Sequence, residues 1–165
     1  PPETLVATAK YPDQKRWALE LGATAVTEPG QLERAVRAFT RSLQMGAQLT
    51  GGFDTVVDCV GSDASIAQAL RVVAPGGTVV LVGMPARVSL DLTGLWHRET
   101  AIRGAYAYTA DDFRAAFDLV AAKSLGRLVS ATYTLDRFTD AIAHAAEAGP
   151  RGSVKVAFDL RQERR

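Results

Sequence analysis

The fold is decided by Phe53-Asp-Thr-Val-Val-Asp-Cys-Val-Gly61, an apolar run that ends in a turn, and by Thr78-Val-Val-Leu-Val82, a second such run. Between them Ser62 is a candidate helix N-cap, apolar residues recur every three or four positions, and Pro75-Gly-Gly77 ends the pattern. The spacing predicts strand, helix and strand, which is a βαβ crossover in a parallel sheet. Ligands of such sheets bind beyond the carboxyl ends of the strands. The loops at 59–62 and 83–85 are therefore the first places to look for a functional site.

The flanking sequence continues this alternation of strands and helices, which predicts an α/β fold with a parallel sheet. Two helices have a predicted inner face: Leu32, Ala35, Val36, Phe39 and Leu43 in one, and Phe113, Ala116, Phe117 and Val120 in the other. The segments at 44–52 and 86–99 read as loop and irregular chain. The remaining predicted strands are 4–9, 23–27, 100–104, 129–135 and 154–158, and the predicted helices begin at Pro12, Leu32, Asp111 and Phe138.

The composition is that of an ordinary globular domain. Of 165 residues, 47% are apolar and 22% are charged, and the net charge is +1, which favours neither disorder, nor a membrane protein, nor a nucleic-acid partner. Cys59 is the only cysteine, so an internal disulfide and a thiolate metal cluster are excluded and a cytoplasmic setting is expected. Because the chain opens on Pro1 and enters a strand almost at once, we expect it to be part of a longer protein.

Four phrases, taken in order, carry a family resemblance. They are Ala18-Leu-Glu-Leu-Gly-Ala23, Phe53-Asp-Thr-Val-Val-Asp-Cys-Val-Gly61, Ala69-Leu-Arg-Val-Val-Ala-Pro-Gly-Gly-Thr-Val-Val-Leu-Val-Gly83 and Gly152-Ser-Val-Lys-Val156. Each phrase alone is weak, but their order and spacing across nearly the whole chain resemble the nucleotide-binding part of zinc-dependent medium-chain dehydrogenases. This is the family of alcohol, sorbitol and threonine dehydrogenases.

The resemblance implies an α/β fold of the Rossmann type, a doubly wound parallel sheet that is incomplete here. The segment at 4–9 corresponds to the second strand, so the first strand and its glycine-rich turn are expected upstream of Pro1. Without that strand, 4–9 and 53–58 each have an open edge, and three outcomes follow: the two strands pair, another chain fills the gap, or the piece is only marginally stable alone. Residues 1–165 would form a partial NAD(P)-binding domain with a return segment at about 126–165. The zinc ligands would belong to a catalytic domain outside this chain, so no catalytic or metal-binding residue is assigned and the isolated chain is expected to be inactive.

The same resemblance implies which residues would touch the cofactor. At the end of the second strand the family's NAD-using members place an acid, but this chain has Ala9 followed by Lys10, which favours the 2′-phosphate of NADP over NAD. A solvated lysine at a strand end is an equally good interpretation. Lys155 corresponds to a basic residue aimed at the pyrophosphate. The other expected contacts come from three loops and are Cys59, Val60 and Gly61; Val82, Gly83 and Met84; and Gly104, Ala105 and Tyr106.

Two histidines lack a second metal ligand at a useful spacing. His97 is interpreted as a surface residue and His144 as a residue on the polar side of its helix, and no Ser, His and Asp constellation is recognisable. The glycines of the site loops also have a purely structural interpretation as turn residues, and Cys59 as a small buried hydrophobic residue.

The leading hypothesis is the cofactor-binding part of an oxidoreductase that transfers a hydride between NAD(P) and an alcohol or carbonyl compound, and that forms a homodimer through strand 100–104. One alternative is a zinc-free quinone or enoyl reductase of the same superfamily. Another is an S-adenosylmethionine-dependent methyltransferase, because those folds share the Phe-Asp-x-Val strand and the Pro-Gly-Gly turn. The third alternative is a non-catalytic interaction module.

Overall fold

The computed structural model describes residues 2–46, 48–83 and 87–161. The fold is α/β, as predicted, and separates into two compact units, Gly30–Ala107 and Pro1–Pro29 with Tyr108–Arg165. The strands are β1 Val6–Thr8, β2 Ala25–Thr27, β3 Gln44–Met45, β4 Gln48–Leu49, β5 Phe53–Asp58, β6 Val73–Leu81, β7 Ala101–Gly104, β8 Val129–Tyr133 and β9 Lys155–Phe158. The helices are α1 Pro12–Glu20, α2 Leu32–Thr40, α3 Asp63–Val72, α4 Thr93–His97, α5 Ala110–Ala122 and α6 Phe138–Ala146, with 3₁₀ turns at Pro29–Gln31, Leu125–Leu128 and Leu135–Arg137.

The unit Gly30–Ala107 is built on a parallel sheet with the strand order β5-β6-β7. Helix α3 connects β5 to β6 as predicted, and the Ser62 hydroxyl caps it by accepting from the Ser65 N–H at 3.2 Å. The buried face of α3 belongs to the core of this unit, in which Ala69 packs with Val73 and Val79 of β6. The crossover inferred from the sequence is therefore confirmed.

The Pro75-Gly-Gly77 segment lies inside β6 and forms a bulge in place of the predicted turn. Phe53 is opposite Val73 and Thr55 is opposite Thr78, so the residues between Val73 and Thr78 have no regular partner in β5. Gly76 has φ +72° and donates its N–H to the Arg98 carbonyl at 2.8 Å, which fixes the bulge. Glycine is the residue that adopts this conformation without steric strain.

The predicted inner face of α2 is only partly correct. Val36 is fully buried against Leu49 and Val72, but α2 ends at Thr40 with Arg41 in the left-handed region. Because the helix stops there, Leu43 leaves the core face and is 68% exposed, and Phe39 is exposed as well. Two predicted irregular segments also contain structure, since β3 and β4 form a short hairpin and α4 occupies Thr93–His97.

Arg98 ties together the amino ends of β5 and β6. Its side chain is buried, and Nη2 donates to the Val73 carbonyl at 2.7 Å and to the Gly51 carbonyl at 3.1 Å. Burial lowers the pKa of this guanidinium from its ordinary value, because the interior disfavours the charged form. The contact stabilises the end of the sheet opposite to the carboxyl ends of its strands.

The other unit contains two parallel strand pairs, β1 with β2 and β8 with β9. Helix α6 contacts β9 and buries Ala141. Helix α5 has no buried residue, so the inner face predicted for Phe113, Ala116, Phe117 and Val120 is wrong and these side chains are exposed. Among the described strands, β1 pairs only with β2 and β5 only with β6, so these two strands do not pair with each other. No helix in the described ranges is long and apolar enough to cross a membrane.

Candidate functional site

The carboxyl ends of the three strands of the β5-β6-β7 sheet lie side by side. Asp58, Leu81 and Gly104 end their strands and are in register with one another. The chain beyond β6 stays beside β5, because the N–H groups of Val82 and Gly83 both donate to the Asp58 carbonyl, at 2.8 and 3.0 Å. Beyond β7, the Ala105 N–H donates to the Leu81 carbonyl at 2.9 Å. Three neighbouring loops therefore leave the sheet at one edge, which we call the carboxyl edge.

The Asp58 side chain fixes the loop that follows β5. It is buried, and its carboxylate accepts from the Val60 N–H at 2.9 Å, from the Gly61 N–H at 3.2 Å and from the Ser65 hydroxyl at 3.0 Å. Hydrogen bonds from main-chain N–H groups to a carboxylate are among the strong ones in proteins. One side chain thus sets the path of the turn and joins it to the first turn of α3.

Gly83 allows the second loop to lie directly on the first. A Cβ atom at position 83 would lie 2.5 Å from the carbonyl carbon of Val60 and 2.6 Å from the nitrogen of Gly61, which is closer than any side chain tolerates. Gly61 itself has φ +78° and is buried. Two glycines therefore bring the main chains of both loops into contact.

The loops of the carboxyl edge also carry apolar and aromatic side chains. Val60 is 70% exposed and Tyr106 is 99% exposed, and Val82 is also open to solvent. Cys59 is exposed as well, so its interpretation as a buried hydrophobic residue is wrong. Exposed apolar side chains on the loops at the carboxyl edge of a parallel sheet are typical of a ligand site. The fold thus brings together eight residues expected from the sequence, which are Cys59, Val60, Gly61, Val82, Gly83, Gly104, Ala105 and Tyr106. The ninth residue of these loops, Met84, lies outside the described residues.

Ala9 and Lys10 follow β1 in the other unit. Ala9 is only 6% exposed and donates its N–H to the Thr27 carbonyl at 2.9 Å, so little of its own surface is open to a ligand. Lys10 is exposed, its N–H donates to Gln14 Oε1 at 3.3 Å, and its ammonium lies 5.4 Å from the centre of the Tyr11 ring. Within the described part of the chain Lys10 forms no salt bridge, which leaves its charge available.

Lys155 is the first residue of β9 and is exposed. It is opposite Val129 of β8, and no acidic side chain in residues 2–46, 48–83 and 87–161 forms a salt bridge with it. The loop before β9 packs on the start of α1, since Gly149 lies against the Tyr11 ring and Gly152 against the Asp13 carboxylate. These contacts join the segment that contains Lys155 to the turn that follows Lys10.

Three side chains of the unit that contains β8 and β9 form a hydrogen-bonded group that the sequence does not predict. His144 is half-buried, and its Nδ1 lies 2.9 Å from Tyr133 Oη while its Nε2 lies 2.7 Å from Ser153 Oγ. The sequence predicts His144 on the polar side of its helix, and in the structure polar side chains of the same unit engage both of its ring nitrogens. His97 is exposed as expected, with Nδ1 3.0 Å from the Thr93 carbonyl.

Metal ligands do not converge in the described structure. No three His, Cys, Asp or Glu side chains in the part of the chain that the structure describes come close enough together to hold a metal ion. We therefore assign none of these residues to zinc.

Comparison with known proteins identifies the family. The sequence model that describes zinc-binding dehydrogenases matches residues 4–122, which is most of the chain. The chain belongs to the zinc-binding dehydrogenase family. It corresponds to the carboxyl-terminal, nucleotide-binding part of these proteins, and the proposed resemblance is confirmed. The methyltransferase alternative is not supported by this match.

Individual dehydrogenase relatives support the assignment. A putative D-xylulose reductase of Rhizobium meliloti is 36% identical over 119 residues, which is 69% of this chain and 34% of that protein. The solved structure of a putative zinc-binding dehydrogenase from Sinorhizobium meliloti, bound to NADP, has a TM-score of 0.73 at 29% identity and is matched over 95% of this chain and 45% of its own. An alcohol dehydrogenase from Thermotoga maritima has a TM-score of 0.77 at 15% identity over 95% of this chain and 44% of its own, which shows the same fold. The chain spans about a third of the length of the curated relative.

Proposed function

We propose that this chain binds a nicotinamide dinucleotide at the carboxyl edge and forms the cofactor-binding part of an oxidoreductase. The observation that carries the proposal is the contact between the loops after β5 and β6. Asp58 and Gly83 hold these loops together beside the end of β7. A structural neighbour bound to NADP supports the nature of the ligand.

Each part of the proposed site suits a part of the dinucleotide. Val60 and Val82 offer apolar contact to rings and riboses, and the exposed segment Gly104, Ala105 and Tyr106 is assigned to the nicotinamide carboxamide. Lys155, in the return segment at about 126–165, is assigned to the pyrophosphate. When bound, the nicotinamide ring supplies the hydride acceptor or donor, and the residues of this chain bind and orient it.

We propose NADP as the preferred cofactor on the basis of Lys10. Its ammonium is exposed and has no acidic partner in the described ranges, and Ala9 supplies no carboxylate that would repel a 2′-phosphate. An acid at the end of this strand would instead accept hydrogen bonds from the ribose hydroxyls of NAD. The preference for NADP over NAD therefore depends on the Lys10 ammonium and on the absence of a carboxylate at position 9.

For the whole protein we propose hydride transfer between NAD(P) and an alcohol, polyol or carbonyl compound. The D-xylulose reductase relatives favour a polyol and its ketone. Zinc would be bound by residues outside the described ranges, and a zinc-free reductase of the same superfamily is the second candidate. We also propose a homodimer formed through the outer edge of β7, and a cytoplasmic location, which suits a chain whose one cysteine is an exposed thiol.

Equilibrium titration of the purified protein tests the function. NADPH fluorescence and calorimetry should both show saturable binding of NADPH and weaker binding of NADH, whereas S-adenosylmethionine should not bind. Saturable binding of S-adenosylmethionine alone, or of none of the three compounds, would contradict the proposal.

A further inference from the structure

Lys155 follows two residues whose positions are fixed by side chains from other elements. The ammonium of a lysine is carried on a flexible four-carbon stem, so the position of the lysine Cα atom limits the region that the ammonium can reach. In this protein hydrogen bonds hold both Ser153 and Val154, which immediately precede Lys155.

Ser153 is held from two sides. Its N–H donates to the Ala148 carbonyl at 2.7 Å, and its hydroxyl lies 2.7 Å from His144 Nε2. The residue is 8% exposed, so these bonds form away from solvent, where an unpaired hydroxyl would be unfavourable.

His144 cannot rotate freely, because its second ring nitrogen is engaged as well. Nδ1 lies 2.9 Å from Tyr133 Oη, and the two rings meet edge to face with their centres 5.9 Å apart. A neutral imidazole satisfies both bonds when the tyrosine hydroxyl donates to Nδ1 and the Nε2–H donates to Ser153 Oγ. The guanidinium of Arg137 lies 5.3 Å from the centre of the Tyr133 ring and further restricts the tyrosine. Helix α6 is thereby linked through one side chain to β8 and to Ser153, two residues before β9 begins.

Val154 is held by a bulge in β8. The register between β8 and β9 shifts between Val129 and Ala131, which leaves Ser130 as the extra residue. Its hydroxyl accepts the Val154 N–H at 2.9 Å. A side chain thus replaces the main-chain acceptor that a regular strand would have offered at this position.

The Ser153–His144 contact does not have the properties of a catalytic nucleophile. A serine and a histidine at hydrogen-bond distance are also the signature of an activated hydroxyl. Such a hydroxyl must reach a substrate, and Ser153 is buried and already bonded to the protein. The third partner, Tyr133, is not a carboxylate that would stabilise a charged imidazole. The geometry therefore fits a support for β9.

We propose that His144 is a positioning residue for Lys155, and that through Ser153, with Tyr133 and the Ser130 bulge, it aims the Lys155 ammonium at an anionic group of the dinucleotide. This inference rests on the proposed function, because it takes the cofactor as the ligand of Lys155. It adds a set of residues that do not touch the ligand but decide how strongly Lys155 attracts it.

Titration of the 165-residue protein with NADPH at several KCl concentrations tests the inference. Lys155→Met should weaken binding about tenfold at low salt, which is the size of one charge-assisted hydrogen bond, and should flatten the dependence of Kd on salt. His144→Ala should weaken binding about threefold to tenfold and flatten the salt dependence in the same way. The double variant should bind no more weakly than Lys155→Met alone, because the effect of His144 acts through Lys155.

Two further variants separate positioning from folding. Ser153→Thr keeps the hydroxyl and should bind NADPH like the wild type, whereas Ser153→Ala should behave like His144→Ala. His97→Ala removes the other histidine, which lies exposed in the other unit, and should change neither Kd nor its salt dependence. If thermal unfolding shows that His144→Ala is not folded at the assay temperature, the Ser153 pair provides the same comparison.

The outcomes distinguish this inference from the proposed function. If the wild type binds NADPH but the losses of His144→Ala and Lys155→Met are additive, or His144→Ala keeps the wild-type salt dependence, the positioning role is wrong and the proposed function stands. If the wild type does not bind NADPH at any salt concentration, both are wrong.

Discussion

Gly83 lies so close to Val60 that a Cβ atom at position 83 would be 2.5 Å from the Val60 carbonyl carbon. The contact joins the loops after β5 and β6 through their main chains, at the edge where we place the cofactor. Since neither partner is the end of a flexible side chain, a larger residue at position 83 cannot be accommodated without moving one of the loops.

Gly83→Ala should therefore separate the two loops. We expect the free energy of unfolding to fall by about 1–3 kcal/mol, as for an overpacked interior site, and NADPH binding to weaken. Chemical denaturation and NADPH titration measure the two effects. Gly30→Ala is the matched control, because a Cβ atom there meets nothing within 4 Å, and it should change neither quantity. A Gly83→Ala protein with wild-type stability and affinity would show that the close contact has no role.

Asp58→Asn should loosen the loop after β5. The carboxylate accepts two main-chain N–H groups and the Ser65 hydroxyl, and an amide places an N–H group where one of these acceptors was. We expect a loss of about 1.5–3 kcal/mol in the free energy of unfolding, which is the range for hydrogen bonds to a charged group.

The control for Asp58 is Asp54→Asn, because Asp54 is an exposed acid on the same strand. Urea denaturation should show little change for Asp54→Asn. Equal effects of the two substitutions would contradict the role given to the buried carboxylate.

Lys10→Met should reduce the preference for NADPH over NADH. If the ammonium pairs with the 2′-phosphate, the substitution removes a contact from NADPH and none from NADH. The Kd for NADH divided by the Kd for NADPH should therefore fall by about tenfold and become less sensitive to salt. Ala9→Asp should shift the ratio in the same direction by repelling the phosphate.

Lys123→Met, which removes another exposed lysine with no salt bridge among the described residues, serves as the control and should leave the ratio unchanged. A wild type that prefers NADH would rule out a role of Ala9 and Lys10 in cofactor choice. The same conclusion would follow if neither Lys10→Met nor Ala9→Asp changed the ratio of the two Kd values.

Ile102→Pro should disrupt the proposed dimer. Strand β7 pairs with β6 on one side, and within the described ranges its other edge carries no strand. Proline removes a main-chain donor and is poorly tolerated inside a paired strand. Sedimentation should show a dimer for the wild type and for Ile102→Val, and a monomer for a folded Ile102→Pro protein. A dimer that survives this substitution would exclude the β7 edge as the contact.

The sequence was informative where local chemistry determines structure. The Ser62 cap, the period of α3 and the β-branched run in β6 placed the central crossover correctly, because each signal depends on residues close together in the chain. Gly61 and Gly83, which follow the two predicted strands in the sequence, also lie in the loops that meet at the carboxyl edge.

The pattern of apolar residues in the sequence does not predict features that depend on tertiary contacts. Apolar spacing identifies the face of α5 that contains Phe113 and Phe117, but it does not say whether another element covers that face, and here both side chains are exposed. The end of α2 at Thr40 likewise removed Leu43 from its predicted position. The link from His144 to Tyr133 and Ser153 joins residues 11 and 9 positions apart, and no local signal announces it.

A nicotinamide dinucleotide bound at the carboxyl edge of the β5-β6-β7 sheet should be visible residue by residue in the amide resonances of the ¹⁵N-labelled protein during titration with NADPH. The amides of Val60, Gly61, Val82 and Gly83 should shift saturably, while those of Gly51 and Gly52, at the amino end of the sheet, should not. Saturable shifts confined to other residues, or no shift at the carboxyl edge with NADPH in excess, would exclude this edge as the binding site.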